Sequence, residues 1–147
     1  MPFARFDPKA PDIRIWVRLL GLRGAVWCEV VLDTGASRTT IDESVLLRLG
    51  YNLTETGSAV VATPTGLAEV KHVSVQQIDA LGLTIRDFPV LAMLLVVPLR
   101  TEGLLGLDFL RQRSLFCNFL KGILFTLPFA QNLLHRFVIA KQSFANL

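Results

Sequence analysis

Cysteine and histidine are scarce in this chain, and their scarcity removes whole classes of chemistry. Cys28 and Cys117 are the only cysteines among 147 residues, and they are far apart. Two thiols at that spacing make no metal site and force no disulfide. Each lies among apolar neighbours and reads as a reduced core residue. His72 and His135 are equally isolated, so neither a metal nor any other cofactor is expected. Charge is also sparse, at 18% of residues where roughly 25% is usual. The net charge is only +3, and the basic residues are scattered along the chain, so nucleic acid is not an expected partner. No apolar run is long. The longest, Phe88 to Leu99, contains Pro89 and Pro98 and falls short of the about 20 residues that cross a bilayer. A membrane partner is therefore not expected. The segment from Met1 to Lys9 has no apolar stretch of the kind a secretory signal needs, and a cytoplasmic location is the expectation.

Apolar residues make up the balance. They form 52% of the chain, and mean hydropathy is +0.49, high for one small domain. Such a surplus implies surface buried against something else, most simply a second subunit. Period-two alternation dominates the pattern. Ile13, Ile15, Val17 and Leu19 alternate with Arg14, Trp16 and Arg18, then Gly21 to Gly24 turns the chain into a second strand over 25–32. A short strand follows Ser37 to Ile41. Asp42 to Gly50 reads as a short helix capped by Asp42 and ended by Gly50. Strands over 59–62 and 68–70 flank a hairpin tip, Thr63-Pro64-Thr65-Gly66-Leu67. Further strands are expected over 73–78, 83–85 and 88–97, a helix over 107–113, and a last hairpin from strands 115–119 and 122–127. Residues 1–11 hold three prolines and read as an N-terminal arm. Residues 128–147 fit an amphipathic packing or dimer-contact helix, with Leu133, Leu134, Phe137, Val138 and Lys141 opposite Gln131, Arg136 and Gln142.

The chemistry concentrates at Val30-Val31-Leu32-Asp33-Thr34-Gly35-Ala36-Ser37, where a carboxylate leaves an apolar strand and opens a turn of small residues. An acid at such a place needs partners, because burying an unpaired charge is costly. About seventy residues on comes Gly103-Leu104-Leu105-Gly106-Leu107-Asp108-Phe109-Leu110. The two segments, in this order and spacing, resemble the acidic loop and the apolar-apolar-Gly segment of the retropepsin-like aspartic proteases, most nearly the bacterial single-domain members. The resemblance covers residues 12–127. It implies a mainly β, retropepsin-like acid-protease barrel with one or two short helices, forming a homodimer.

It also implies roles. Asp33 would be the catalytic carboxylate. Peptide hydrolysis by this route needs two carboxylates sharing a proton, and the chain has no second motif of this kind, so the other Asp33 would come from a second copy. Thr34 would bond across to the partner's loop, Gly35 would admit the substrate backbone, and Ala36 would fill a tight position beside the acids. Leu104, Leu105 and Gly106 would pass beneath the acidic loop and support it. Thr63, Pro64, Thr65, Gly66 and Leu67 would form a flap over a peptide or protein substrate, although Pro64 departs from a glycine-rich retroviral flap. Ser37 stands where retroviral enzymes carry an aspartate and Leu107 where they carry an arginine, which leaves Arg38 as a candidate substitute for the missing ion pair. Asp108, just inside a helix start, reads as a capping or packing residue. The expected function is a homodimeric aspartic endopeptidase. The alternative is a non-catalytic peptide-binding or oligomerisation module on the same fold.

Overall fold

The computed structural model describes residues 3–63, 66–95 and 100–127. The chain begins with β1 (Phe3–Arg5), then forms the hairpin of β2 (Arg14–Gly21) and β3 (Gly24–Leu32). Next come β4 (Thr40–Asp42) and α1 (Glu43–Arg48). A second hairpin follows, of β5 (Ser58–Thr63) and β6 (Gly66–Ala80), which turns into β7 (Leu83–Met93). The last elements are β8 (Gly103–Leu105), α2 (Leu107–Leu110), β9 (Ser114–Asn118) and β10 (Ile123–Leu127).

Seven strands form one sheet in the order β2-β3-β8-β4-β7-β6-β5. β2 also pairs with β6, through Arg18↔Asp79, Leu19↔Ile78 and Leu20↔Gln77. That pairing closes six strands into a barrel and leaves β5 outside it, on the edge of β6. The alternation in the sequence decides which side chains face inward. Ile15, Val17 and Leu19 are buried, while Trp16 between them is 61% exposed. Cys28 and Val30 from β3, Val73, Val75 and Ile78 from β6, and Val90 and Ala92 from β7 complete the barrel core. Cys28 is a free thiol. Burial above all, with Glu102 nearby and Arg48 opposing, pushes it up to about 12, so it stays protonated at neutral pH.

Several elements differ from the sequence expectation. β7 pairs continuously with β6, where a break was expected around residues 86–87. Their register runs unchanged from Lys71↔Ala92 to Ala80↔Leu83. Asp87 takes φ +50, and the N–H of Gln76 opposite it donates to the Tyr51 hydroxyl at 3.1 Å, so the polar interruption is absorbed locally. Pro89 is tolerated because β4 pairs with β7 only from Leu91 onward, leaving Pro89 a partner on one side only. α2 is a single turn, shorter than the expected 107–113. Within 1–11, expected as an arm, Phe3–Arg5 instead pairs with β10, and the Phe6 N–H donates to the Gly122 carbonyl at 2.9 Å. Pro8 and Pro11 lie beyond β1 and do not interrupt it. β1, β10 and β9 form a separate three-stranded sheet. Its Ala4, Leu115, Cys117 and Leu124 pack on the barrel core, and Phe3, Phe125 and Phe116 form a row on the other face. The Phe116 and Phe125 rings stack at 5.0 Å. The expected helix over 128–147 lies outside the described residues.

α1 starts and stops as its sequence directs. The Asp42 carboxylate accepts from the Ser44 N–H and hydroxyl. Gly50, at φ +92, donates to Leu47 while Tyr51 donates to Leu46, the paired bonds of a Schellman motif. Val45 and Leu46 anchor the helix in the core, each contributing roughly 1.5–3 kcal/mol. The second oxygen of Asp42 accepts from the Leu95 N–H at 2.9 Å, tying the helix start to the end of β7.

Burial pushes the Asp42 carboxyl up. The hydrogen bonds from Ser44 and Leu95, with Arg48 nearby, outweigh that push and hold it below the ordinary value of 3.8. A depressed folded-state value stabilises the fold above the ordinary value, and the stabilisation is lost as pH falls through the depressed one. Asp42→Asn is therefore expected to cost about 1–2 kcal/mol at neutral pH. In urea unfolding, the gap to wild type should stay constant above the ordinary value and close as pH falls below it, through the depressed value of the folded protein. An unchanged gap would show that the charge of Asp42 contributes nothing.

Candidate functional site

The site begins where β3 ends. β8 lies between β3 and β4, parallel to the first through Val31↔Leu104 and Leu32↔Leu105, and antiparallel to the second through Thr40↔Leu104 and Ile41↔Gly103. The strand entering the acidic loop and the strand leaving it thus flank the same three residues. Side chains would obstruct this crossing. A Cβ on Gly103 would lie 2.7 Å from the Thr40 carbonyl oxygen. A Cβ on Gly106 would lie 2.6 Å and 2.7 Å from the carbonyl carbon and oxygen of Arg38, and 2.9 Å from the Thr39 nitrogen. Glycine is required at both positions for space; the φ of Gly106 is −90, which any residue adopts.

Backbone hydrogen bonds then set the loop. The Asp33 N–H donates to the Leu105 carbonyl at 3.0 Å, and the Leu107 N–H to the Ala36 carbonyl at 2.9 Å. Asp33 is half-buried, and its Oδ1 accepts from the Gly35 N–H at 2.8 Å. The Ala36 N–H donates to the Asp33 carbonyl at 3.3 Å, closing the turn. Thr34 and Gly35 are exposed at its tip, and Ala36 is half-buried. The structure thus brings together Asp33, Thr34, Gly35, Ala36, Leu104, Leu105 and Gly106. Leu105 and Gly106 are buried beneath the loop, and Leu104 is half-buried.

The hairpin of β5 and β6 holds the remaining candidates. Its register ends at Thr63↔Gly66. Pro64 and Thr65 lie outside the described residues. Gly66 has φ +132, and Leu67 is 80% exposed. In strand order this hairpin is separated from β8 by β4 and β7, so it does not belong to the hydrogen-bonded unit beneath Asp33.

Asp108 does more than its position in α2 suggested. Its carboxylate takes both the N–H and the hydroxyl of Thr39, at 2.9 Å and 2.7 Å on Oδ1. It also takes the Phe109 N–H at 2.9 Å. Arg38 Nε stands 3.5 Å from its Oδ2, so the cation weighed as a substitute for the retroviral ion pair is paired within its own chain. The Thr39 hydroxyl oxygen accepts from the Gly106 N–H at 3.1 Å. The one signal in the sequence was a threonine just past the acidic loop and an acid just past Gly106. Among the described residues, no group of three or more His, Cys, Asp or Glu side chains is placed to hold a metal ion. Among those residues, too, no helix is long and apolar enough to cross a membrane.

A closed barrel whose late internal strand threads between the two limbs of an acidic loop defines a retropepsin-like fold. Residues 23–112 match the family described as "gag-polyprotein putative aspartyl protease", and the chain belongs to that family. The fold is similar to a retropepsin-like aspartic protease from Rickettsia conorii, with a TM-score of 0.63 and 16% identity over 84% of this chain and 87% of that one. It is also similar to EIAV protease in complex with the inhibitor HBY-793, with a TM-score of 0.55 and 20% identity over 70% of this chain and 88% of that one. No curated protein matches the chain.

Because Gly106 faces backbone on its crowded side, Gly106→Ala should destabilise the protein by about 2–3 kcal/mol. Gly57 supplies the control, since a methyl group there would meet nothing within 4 Å. Gly57→Ala should stay within about 0.5 kcal/mol of wild type. Equal urea midpoints for the two variants would contradict the account of the crossing.

Proposed function

We infer that the protein is a homodimeric aspartic endopeptidase in which each copy supplies one Asp33. The observation that carries the reading is the half-buried Asp33 carboxylate at the end of β3, held by the Gly35 N–H above a glycine-lined strand crossing, in a member of an aspartyl protease family. One such loop occurs per chain, and the reaction needs two carboxylates. A two-fold axis beside the exposed Thr34 and Gly35 would bring the two loops together.

Two like carboxylates at close range share one proton. The ionised one takes a proton from water as the water oxygen attacks the scissile carbonyl carbon. The protonated one hydrogen-bonds to the carbonyl oxygen as negative charge develops there. Collapse of the tetrahedral intermediate breaks the C–N bond, and the departing amine takes a proton from the dyad. No metal or cofactor is called on. Thr34 would hold the paired loops in register through its hydroxyl, Gly35 would let the substrate backbone approach, and Ala36 would close the space beside the acids. An extended peptide would lie between this floor and the hairpin of Thr63, Pro64, Thr65, Gly66 and Leu67, with main-chain hydrogen bonds supplying affinity. The exposed Phe3, Phe116, Phe119 and Leu120 around the three-stranded sheet support association, since apolar surface of this kind is usually covered.

Asp33→Asn keeps size and hydrogen bonding but removes the titrating proton. It should lower kcat/KM on peptide substrates at least about a thousandfold with unchanged thermal stability. A variant that cleaves as well as wild type overturns the assignment. If neither protein cleaves peptides while both bind them, the module reading replaces it. The dimer has its own test. Specific activity should fall on dilution in step with dissociation followed by sedimentation, and a fully active monomer would refute the shared site.

A further inference from the structure

We propose that Asp108 is a positioning residue for Asp33, fixing the far end of the acidic loop through Thr39. The proposal rests on the reading of Asp33 given above and concerns how its position is set. The near end of the loop is held by β3 in the sheet and by the bond from Asp33 to Leu105. The far end has two main-chain bonds, from the Leu107 N–H to the Ala36 carbonyl and from the Leu91 N–H to the Thr39 carbonyl, and its ladder begins only at Thr40. On those bonds alone the loop could still shift at Ser37 and Arg38, and a shift of one ångström at a reacting carboxylate can cost about a hundredfold in rate.

Thr39 and Asp108 close that gap, although 69 residues separate them in sequence. Thr39 is fully buried. Its N–H and hydroxyl both reach Asp108 Oδ1, and its hydroxyl oxygen receives the Gly106 N–H, so the loop, the strand crossing and α2 meet at one side chain. The carboxylate is charged, buried in part and shared by several donors, which makes these bonds stronger than neutral ones. A helix cap would need only donors of its own helix. Here α2 is one turn, and only the Phe109 N–H comes from it; the other bonds leave the helix for the loop. The Arg38 guanidinium beside Oδ2 adds a further tie from the loop, one residue before Thr39.

Oδ1 receives the Thr39 hydroxyl and the Phe109 N–H, and the Thr39 N–H is shared between Oδ1 at 2.9 Å and Oδ2 at 3.0 Å. Asp108→Asn, with its oxygen in the place of Oδ1, can therefore keep an acceptor for all three donors and lose the Oδ2 share of the Thr39 N–H and the ion pair to Arg38, whereas Asp108→Ala loses everything. On a peptide whose cleavage requires Asp33, Asp108→Ala should lower kcat by about tenfold or more with KM within about twofold, and Asp108→Asn should restore kcat to within about threefold of wild type. Thr39→Val, which removes only the hydroxyl, should also lower kcat, and its effect should shrink when added to Asp108→Ala, because the two residues act as one unit. Amide hydrogen exchange on the full chain provides a readout that does not depend on catalysis. Asp108→Ala should speed exchange at Gly35 and Ala36 by about tenfold or more. A folded Asp108→Ala protein with wild-type kcat, or with faster exchange confined to residues 107–111, reduces Asp108 to a cap and overturns the proposal. Should Asp108→Ala fail to fold, Thr39→Val decides: wild-type kcat and unchanged exchange at Gly35 and Ala36 in that variant also overturn it. If Asp33→Asn is no less active than wild type, the endopeptidase reading fails separately, and exchange alone decides the role of Asp108.

Discussion

The passage of β8 between β3 and β4 is the constraint on which the rest of this structure depends. One strand cannot hydrogen-bond to the strands before and after a tight loop unless its backbone passes very close to the loop's own. Gly103 and Gly106 make that approach possible at its two ends, and in both cases the group that a methyl would strike is main chain, which cannot rotate away. The crossing fixes where β3 ends and β4 begins, and so decides where the intervening turn can lie. It also places Leu105 in the core and delivers α2 directly to the loop it supports. The barrel and the site are therefore one construction, and a change that opens the crossing disturbs both.

Much of this was legible in the sequence because local rules and burial agree there. Ile15, Val17 and Leu19 alternate because one face of β2 is core. Asp42 and Gly50 bound α1 because a helix needs an acceptor at its start and a left-handed residue after its end. Asp33 could be found because an acid that follows three apolar strand residues requires an explanation. Other features carried no local signal. The break expected between 83–85 and 88–97 is absent, because a hydroxyl from Tyr51 and a positive φ at Asp87 accommodate the polar residues without loss of register. β1 is three residues long and owes its existence to β10, far away in sequence. The partners of Asp108 were hidden for a related reason. A hydrogen bond between residues 69 apart has no period, and an acid at a helix start already has a sufficient local explanation.

Polar groups beneath the loop show how a buried site keeps its cost low. The Thr39 hydroxyl both donates and accepts, so one side chain satisfies Asp108 and the Gly106 N–H together. No described side-chain nitrogen or oxygen that is buried lacks a partner. Full satisfaction rigidifies such a network, since every displacement breaks several bonds at once. Charge is treated in the same way. Arg38 is paired with Asp108 inside the chain, so it is not left as an isolated cation beside an acidic loop. Ser37 and Leu107 carry no charge, and the ion pair here joins a cation on the loop to the acid on α2.

On the dimeric reading, this internal economy has a consequence for assembly. Each chain presents a loop already fixed by its own hydrogen bonds, so little ordering remains to be done when two copies meet, and the entropic cost of forming the site is small. Electrostatics acts against the meeting, because two like carboxylates must approach and one must hold a proton. Attraction must therefore come from surface away from the acids. The three-stranded sheet offers it: β9 follows α2 after a short turn, and the row of Phe3, Phe125 and Phe116 lies on the face turned away from the barrel core. On that reading the two requirements separate, with the acidic loops held rigid by buried hydrogen bonds and association left to apolar area elsewhere on the same chain.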